Sequence, residues 1–188
     1  GAYTWAARTV TPSETLPGHA SMLSGEDPKV HKITWDWNDF KPEQGYIAVP
    51  TVFSVARAAG LRTVMVVGKK KLQHLAPPGT VDSFVVTERG DADVANEAIV
   101  QAGVGFDLLF VHFPDVDYAG HAEGWMSAAY MAKVAEVDAA IDMILVISTP
   151  VQACLDNVAA AAKAIDKPLA VSVYALPESE PEIYADLA

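Results

Sequence analysis

The chain has 188 residues, of which 51% are hydrophobic and 20% are charged, and its formal net charge is −11. This length and hydrophobic content suffice for an α/β domain with a sizeable core and exclude a disordered chain. The acidic charge argues against a nucleic-acid polymer or an anionic membrane as partner. No apolar run reaches the roughly 18 residues of a membrane span, no signal peptide is visible, and the single cysteine, Cys154, excludes an internal disulfide.

A short helix is predicted from Thr15 to Gly25. Thr15 is a good N-cap, Pro17 suits the first turn, and Gly25 suits the exit. A hydroxyl at a helix N-terminus faces unpaired N–H groups that favour an anion, so Thr15 either caps the helix or belongs to an anion site. We expect the two histidines nearby, His19 and His31, to be structural.

Helices and strands alternate along the next part of the chain. Helices are predicted at 50–60, at 91–102 and from Ser127 to about Asp142, and the second of these has Asp91 as its cap and Gly103 as its end. Strands are predicted at 63–67, 84–86 and 106–113, and the last is expected to be the central strand. This order predicts a doubly wound α/β fold with a mostly parallel sheet. Gly68 to Lys71 lacks the spacing of a phosphate-binding loop, so we expect a solvated loop there.

The polar segment after the predicted central strand is the main candidate for a metal site. The apolar run stops at Asp115, Asp117 and His121, and ligands in open α/β sheets bind beyond the carboxyl ends of the strands. A carboxylate with an imidazole suits zinc, and Gly120 would allow the turn that brings both onto one ion. The alternative is that these residues make a turn and cap the next helix, which fits Asp115 best. His112, within the strand, is expected to be packed.

Two motifs in chain order resemble those of the type I phosphodiesterase/nucleotide pyrophosphatase family, which belongs to the alkaline phosphatase superfamily. The segment from Asp117 to His121 with Gly124 resembles the family's Asp-x-x-Gly-His-x-x-Gly motif, and the segment from Thr15 to Gly25 resembles its nucleophile segment. The resemblance covers about residues 1–142. It implies an alkaline-phosphatase-like α/β core, which is incomplete here.

The resemblance also implies a two-zinc hydrolase that acts on a small phosphate ester or nucleotide. Thr15, ligated to one zinc, would attack phosphorus, with Ser13 as the alternative by alignment. Asp117 and His121 would bind the other zinc ion.

An asparagine of the family holds a phosphate oxygen. Asn38 is the expected equivalent here if two residues are inserted. Counting from Thr15 puts Asp36 at that position, but a carboxylate would repel phosphate.

The last part of the chain departs from the family pattern. The expected Asp-His-Gly segment is missing, and no histidine follows His121. Residues 143–188 instead resemble a βαβ unit, which begins with an apolar run at Ile144. The unit is similar to part of the flavodoxin-like subdomain in nucleoside-diphosphate-forming acyl-CoA synthetases. The alternative is that these residues are a divergent ending of the same domain. We therefore predict two units, 1–142 and 143–188.

Because zinc sites normally have three or four protein ligands, we expect weak metal binding and little turnover. The competing hypotheses are a non-catalytic α/β or CoA-ligase-type binding module and an incomplete chimeric chain. An incomplete chain would expose sheet edges and apolar helix faces, which formation of a homo-oligomer could cover. The compartment is not predicted.

Overall fold

The computed structural model describes residues 8–147 and forms a three-stranded, all-parallel sheet in the strand order β2-β1-β3. The strands are β1 (Thr63–Val67), β2 (Ser83–Val86) and β3 (Leu108–His112). All five residues of β1 are buried, as expected for an apolar strand covered on both faces. In this part of the chain β1, and not the predicted segment 106–113, is therefore the central strand, because β2 and β3 pair with its two sides.

Helices cover both faces of the sheet, which confirms the predicted doubly wound α/β fold. One face of β1, with Met65 and Val67, packs against α1 (Thr15–Ser24) and α3 (Val52–Ala58). The opposite face, with Val64 and Val66, packs against two helices, α4 (Asp91–Val104) and α6 (Ala128–Ile147). The remaining elements are α2 (Pro28–His31), α5 (Asp115–Glu123) and two 3-10 helices, Pro42–Gln44 and Lys70–Leu75.

The helices that the sequence predicts are present, but two predicted N-caps and one predicted end are wrong. Glu14, not Thr15, is the N-cap of α1, and Thr15 is the first helical residue; the exit at Gly25 is confirmed by its left-handed φ of 71°. Gly90, not Asp91, precedes α4, which ends at Gly105. A glycine inside a helix costs only about 1 kcal/mol, so helix α4 continues past Gly103. Helix α5 is not predicted: Gly120, the expected turn residue, lies inside it, because Asp115 to Glu123 form a continuous helix.

Helix α6 begins as predicted, because the Ser127 hydroxyl accepts a hydrogen bond from the N–H of Tyr130 at 3.2 Å. It continues to Ile147, so the first strand expected in the C-terminal βαβ unit, near Ile144, is helical instead. The rest of that unit lies outside the described residues, and the division at residue 142 stays a prediction. Between residues 8 and 147, no helix is long and apolar enough to cross a membrane.

The carboxyl ends of β1 and β3 meet at one point, and this contact positions the site. The N–H of Gly68, directly after β1, donates to the carbonyl of His112 at 3.0 Å. A Cβ on Gly68 would overlap Cδ of Pro114, the residue before α5. Only glycine allows this approach, which places Lys69 beside the first turn of α5.

Candidate active site

A cavity of about 660 Å³ lies at this edge of the sheet. One side is formed by α1 and the segment before it, including Ser13, Thr15 and His19. The other side is formed by residues at the ends of β1 and β3 and in the first turn of α5: Lys69, His112 and Asp117. The site thus lies where ligands bind in open α/β sheets.

The ammonium group of Lys69 connects the two sides of the cavity. Its Nζ lies 2.5 Å from Oδ2 of Asp117 and 3.5 Å from Oγ1 of Thr15. The Lys69 side chain is only 8% exposed, whereas that of Asp117 is 37% exposed. The structure therefore brings Thr15 and Asp117 to one cavity, with a buried cation between them.

His121 lies next to Asp117 but on the outer side of α5. Its Nε2 is 3.6 Å from Oδ1 of Asp117, one helical turn earlier, and its side chain is 70% exposed. The imidazole also packs against Trp125, with ring centroids 5.3 Å apart. The predicted carboxylate–imidazole pair is thus adjacent, although His121 does not line the cavity.

Asp36, and not Asn38, reaches the N-terminus of α1. Oδ1 of Asp36 accepts from the N–H of Leu16 at 2.9 Å, and Oδ2 accepts from Nζ of Lys71 at 2.7 Å. Lys71 offsets the negative charge that disfavoured Asp36 on sequence grounds. Asn38 is exposed and does not line the cavity, so the structure does not bring it to Thr15.

The prediction of a solvated loop after β1 is wrong for two of its three lysines. Lys69 and Lys71 are 7% and 6% exposed, and each forms an ion pair with a carboxylate of the site. Lys70 alone points outward and pairs with Asp39 at 3.1 Å on the surface. Lysines are rarely buried without a partner, and ligands bind at the carboxyl ends of such strands, so the lysines that follow the apolar run 64–67 are a signal in the sequence for this site.

Two histidines, His19 and His112, line the cavity near Lys69. Nδ1 of His19 donates to the carbonyl of Thr15 at 2.6 Å, and the rings of His19 and His112 lie 5.1 Å apart. Burial lowers the pKa of His19, although this hydrogen bond acts in the opposite direction. Burial, with the nearby His19 and Lys69, lowers the pKa of His112 to about 3. Both imidazoles are therefore neutral at pH 7.

The other two expectations for structural residues are confirmed. His31 is 2% exposed, and its ring nitrogens bond the hydroxyl of Ser21 at 2.9 Å and the N–H of Ile33 at 3.1 Å. Asp115 begins α5 and exchanges hydrogen bonds with Asp91: its N–H donates to Oδ1 of Asp91 at 3.0 Å, and its Oδ2 accepts from the Asp91 N–H at 3.3 Å. The hydrogen bonds of His31 connect α2 to α1, and those of Asp115 connect α5 to α4.

The charge state of Asp117 follows from Lys69. Burial raises the pKa of this carboxyl group, but the hydrogen bond and the charge of Lys69 outweigh burial, and the pKa lies below its ordinary value. Asp117 is therefore an ionised carboxylate whose Oδ2 is already occupied by an ammonium group.

The arrangement of these residues does not fit a two-zinc centre. Within residues 8–147, no three side chains of the His, Cys, Asp and Glu types lie close enough together to hold a metal ion. Zinc normally takes three or four protein ligands, whereas Asp117 and His121 supply two. Lys69 also contacts Thr15 and Asp117, which are the expected ligands of the two different zinc ions.

A family model described as type I phosphodiesterase / nucleotide pyrophosphatase matches residues 2–146, which is most of the 188-residue chain. No curated protein matches the chain. The matched range contains the whole described sheet, Thr15 on one side of the cavity and Asp117 on the other. The all-parallel sheet with helices on both faces is consistent with an incomplete alkaline-phosphatase-like core. The chain therefore belongs to the type I phosphodiesterase / nucleotide pyrophosphatase family.

Proposed function

We propose that this hydrolase-type domain carries an impaired version of a zinc-dependent phosphoric-ester site, with Thr15 as the nucleophile and a small phosphodiester or nucleotide as the ligand. The observation that carries the proposal is the position of the Thr15 hydroxyl. It lies in the first turn of α1, at the cavity, 3.5 Å from the buried ammonium of Lys69. The positive end of the helix dipole and this ammonium both favour an oxyanion next to Thr15.

Activation of Thr15 is the step in which the site is deficient. A hydroxyl is a poor nucleophile at pH 7 unless a base or a metal ion activates it. In the described part of the chain, Lys69 is the side chain within hydrogen-bond reach of the Thr15 hydroxyl, and a cation does not remove a proton. His19 lies one turn further along α1, but its Nδ1 bonds the Thr15 carbonyl instead of the hydroxyl. Weak zinc binding and little turnover follow.

Two measurements test the impairment. The first is hydrolysis of bis(p-nitrophenyl) phosphate with added zinc by the unchanged chain, by Thr15→Ala and by Ser13→Ala. The second is calorimetric titration of the unchanged chain with zinc. We expect little or no turnover and no tight zinc site. Two tight sites, or turnover that Thr15→Ala abolishes, would overturn the impairment, and turnover abolished only by Ser13→Ala would identify Ser13 as the nucleophile.

The position of the nucleophile is tested separately with orthovanadate, which forms a five-coordinate adduct with a hydroxyl group. Because such an adduct resembles a phosphoryl-transfer transition state, we expect Thr15→Ala to weaken vanadate binding by about tenfold or more. Ser13 lines the same cavity, so Ser13→Ala is the matched control. We expect it to change the affinity for vanadate by less than about twofold. Equal affinity of the unchanged chain and Thr15→Ala would contradict the assignment.

A further inference from the structure

We propose that Lys69 is the resident cation of this site and that a divalent metal ion binds at Asp117 only by displacing the Lys69 ammonium. The inference rests on the proposed function in one respect, namely that Asp117 is where a metal ion would bind. It goes further by naming the group of this chain that opposes the metal.

The first support is the set of contacts around the ammonium. Nζ of Lys69 contacts Oδ2 of Asp117 at 2.5 Å and Oγ1 of Thr15 at 3.5 Å, and it lies 5.0 Å from the ring centroid of Tyr118. These three partners come from α1 and α5, so the ammonium lies between the two helices that form the site. The ammonium therefore contacts one expected ligand of each zinc ion, and a metal ion on Oδ2 of Asp117 would have to occupy its position.

The second support is the backbone on each side of this contact. Gly68 packs directly on Pro114, and the N–H of Gly68 donates to the carbonyl of His112. This packing fixes the start of the Lys69 side chain relative to the start of α5, which carries Asp117. The backbone contacts among β1, β3 and α5 therefore hold both partners of the ion pair in place, whereas two surface side chains must be ordered by the pair itself.

The third support is the charge arrangement at Asp117. Oδ2 is held by a side chain that is 8% exposed, whereas Oδ1 faces His121, which is 70% exposed. A zinc ion placed on Asp117 and His121 would lie next to the ammonium, and two cations a few ångströms apart in a partly buried site repel each other strongly. Removing the carboxylate partner would also leave Lys69 buried without a counter-ion, which is costly. Both effects lower the affinity for zinc.

The test is a calorimetric zinc titration of the unchanged chain, Lys69→Met and Lys70→Met. Methionine keeps an apolar stem of similar length and removes the charge. We expect Lys69→Met to bind zinc about tenfold more tightly or better, because it removes the competing charge. Lys70→Met is the matched control, since its ammonium pairs with Asp39 on the surface, and we expect a change within about twofold.

Adding Asp117→Asn to Lys69→Met should abolish the gain in affinity, because the carboxylate is the group that the two cations share. Zinc affinity of Lys69→Met equal to or weaker than that of the unchanged chain would overturn the proposal. So would a gain that persists in the double variant, because the metal would then bind elsewhere.

A second readout on the unchanged chain applies even where Lys69→Met does not fold. Amine acetylation followed by mass spectrometry measures the reactivity of Lys69 and Lys70 with and without zinc. We expect Lys69 to be protected without zinc and to react several-fold faster at saturating zinc, with Lys70 unchanged. Protection of Lys69 that saturating zinc leaves unaltered would contradict displacement. Neither readout involves ester hydrolysis, so failure of Thr15 as the nucleophile would leave both results as they are.

Discussion

Replacing Asp91 by asparagine is expected to stabilise the protein at neutral and alkaline pH but not at acid pH. Asp91, the first residue of α4, is only 5% exposed. Its Oδ1 accepts the N–H of Asp115, whereas its Oδ2 is buried without a hydrogen-bond partner in the described part of the chain. Burial raises the pKa of Asp91 to about 6; the hydrogen bond from the Asp115 backbone opposes this shift, and the negative charge of Asp115 adds to it.

The size and sign of the effect follow from this pKa. An aspartate in an unfolded chain titrates near pH 3.9, so the folded value is about two units higher, and each unit corresponds to about 1.4 kcal/mol. Because the folded pKa is raised, the contribution of Asp91 to stability is fully present below about pH 4 and is lost as the pH rises through about 6. The loss is at most about 3 kcal/mol. Asparagine keeps the Oδ1 acceptor and cannot ionise, so the variant avoids this loss.

Urea unfolding at about pH 4.5 and about pH 8 measures the difference. We expect Asp91→Asn to exceed the unchanged chain in free energy of unfolding by about 1–3 kcal/mol at the higher pH and to match it closely at the lower pH. The control is Asp93→Asn in the same first turn, whose carboxylate pairs with Arg89 at 3.2 Å on the surface. Two results would refute the reasoning. One is a free energy of unfolding of Asp91→Asn at pH 8 that is no higher than that of the unchanged chain. The other is a gain over the unchanged chain that is equal at both pH values.

Four further substitutions test the packing of the site and the core by urea unfolding. Gly68→Ala places a methyl group on Pro114 and should destabilise by about 1–3 kcal/mol, whereas Gly103→Ala meets open space inside α4 and should stabilise by about 1 kcal/mol; equal effects would contradict the close contact. In the folded protein the pKa of His112 is lowered to about 3. The contribution of neutral His112 to stability is therefore present above about pH 6.5, and the free energy of unfolding falls by about 1.4 kcal/mol for each pH unit below that value. Because phenylalanine cannot take up a proton, His112→Phe should reduce this loss of stability in acid. An unchanged slope would exclude His112 as its source. Phe53→Ala empties a fully buried position and should destabilise by about 3–5 kcal/mol, so a loss below 1 kcal/mol would contradict the core.

The sequence predicts the sheet well where its residues are buried on both faces. Strand β1 is found at the predicted residues, 63–67, because the continuous apolar run 64–67, rich in valine, favours a strand covered by helices on each side. Strand β3 is shorter than predicted and lies at the side of β1, since apolar content does not reveal strand order. Helix caps such as Glu14 and Gly90 are missed because backbone geometry, and not a side-chain hydrogen bond, defines them.

The site is only partly predictable for a different reason. Thr15 and Asp117 are recognisable because each lies within a short motif, and the structure brings both to one cavity. Lys69 and Lys71 are missed because their burial depends on carboxylates 48 and 35 residues away in the sequence. The preference for Asn38 over Asp36 has the same cause, since the charge of Asp36 is acceptable only when Lys71 is known to lie beside it.

The most direct test of the account is chemical cross-linking of the unchanged chain with a water-soluble carbodiimide. This reagent joins an amine to a carboxylate that it contacts, and mass spectrometry identifies the linked peptides. We predict an amide between Lys69 and Asp117, lost in Asp117→Asn, together with a link between Lys70 and Asp39 that reports on the reagent. A Lys70–Asp39 link without a Lys69–Asp117 link would contradict the arrangement of Thr15, Lys69 and Asp117 on which the proposed function depends.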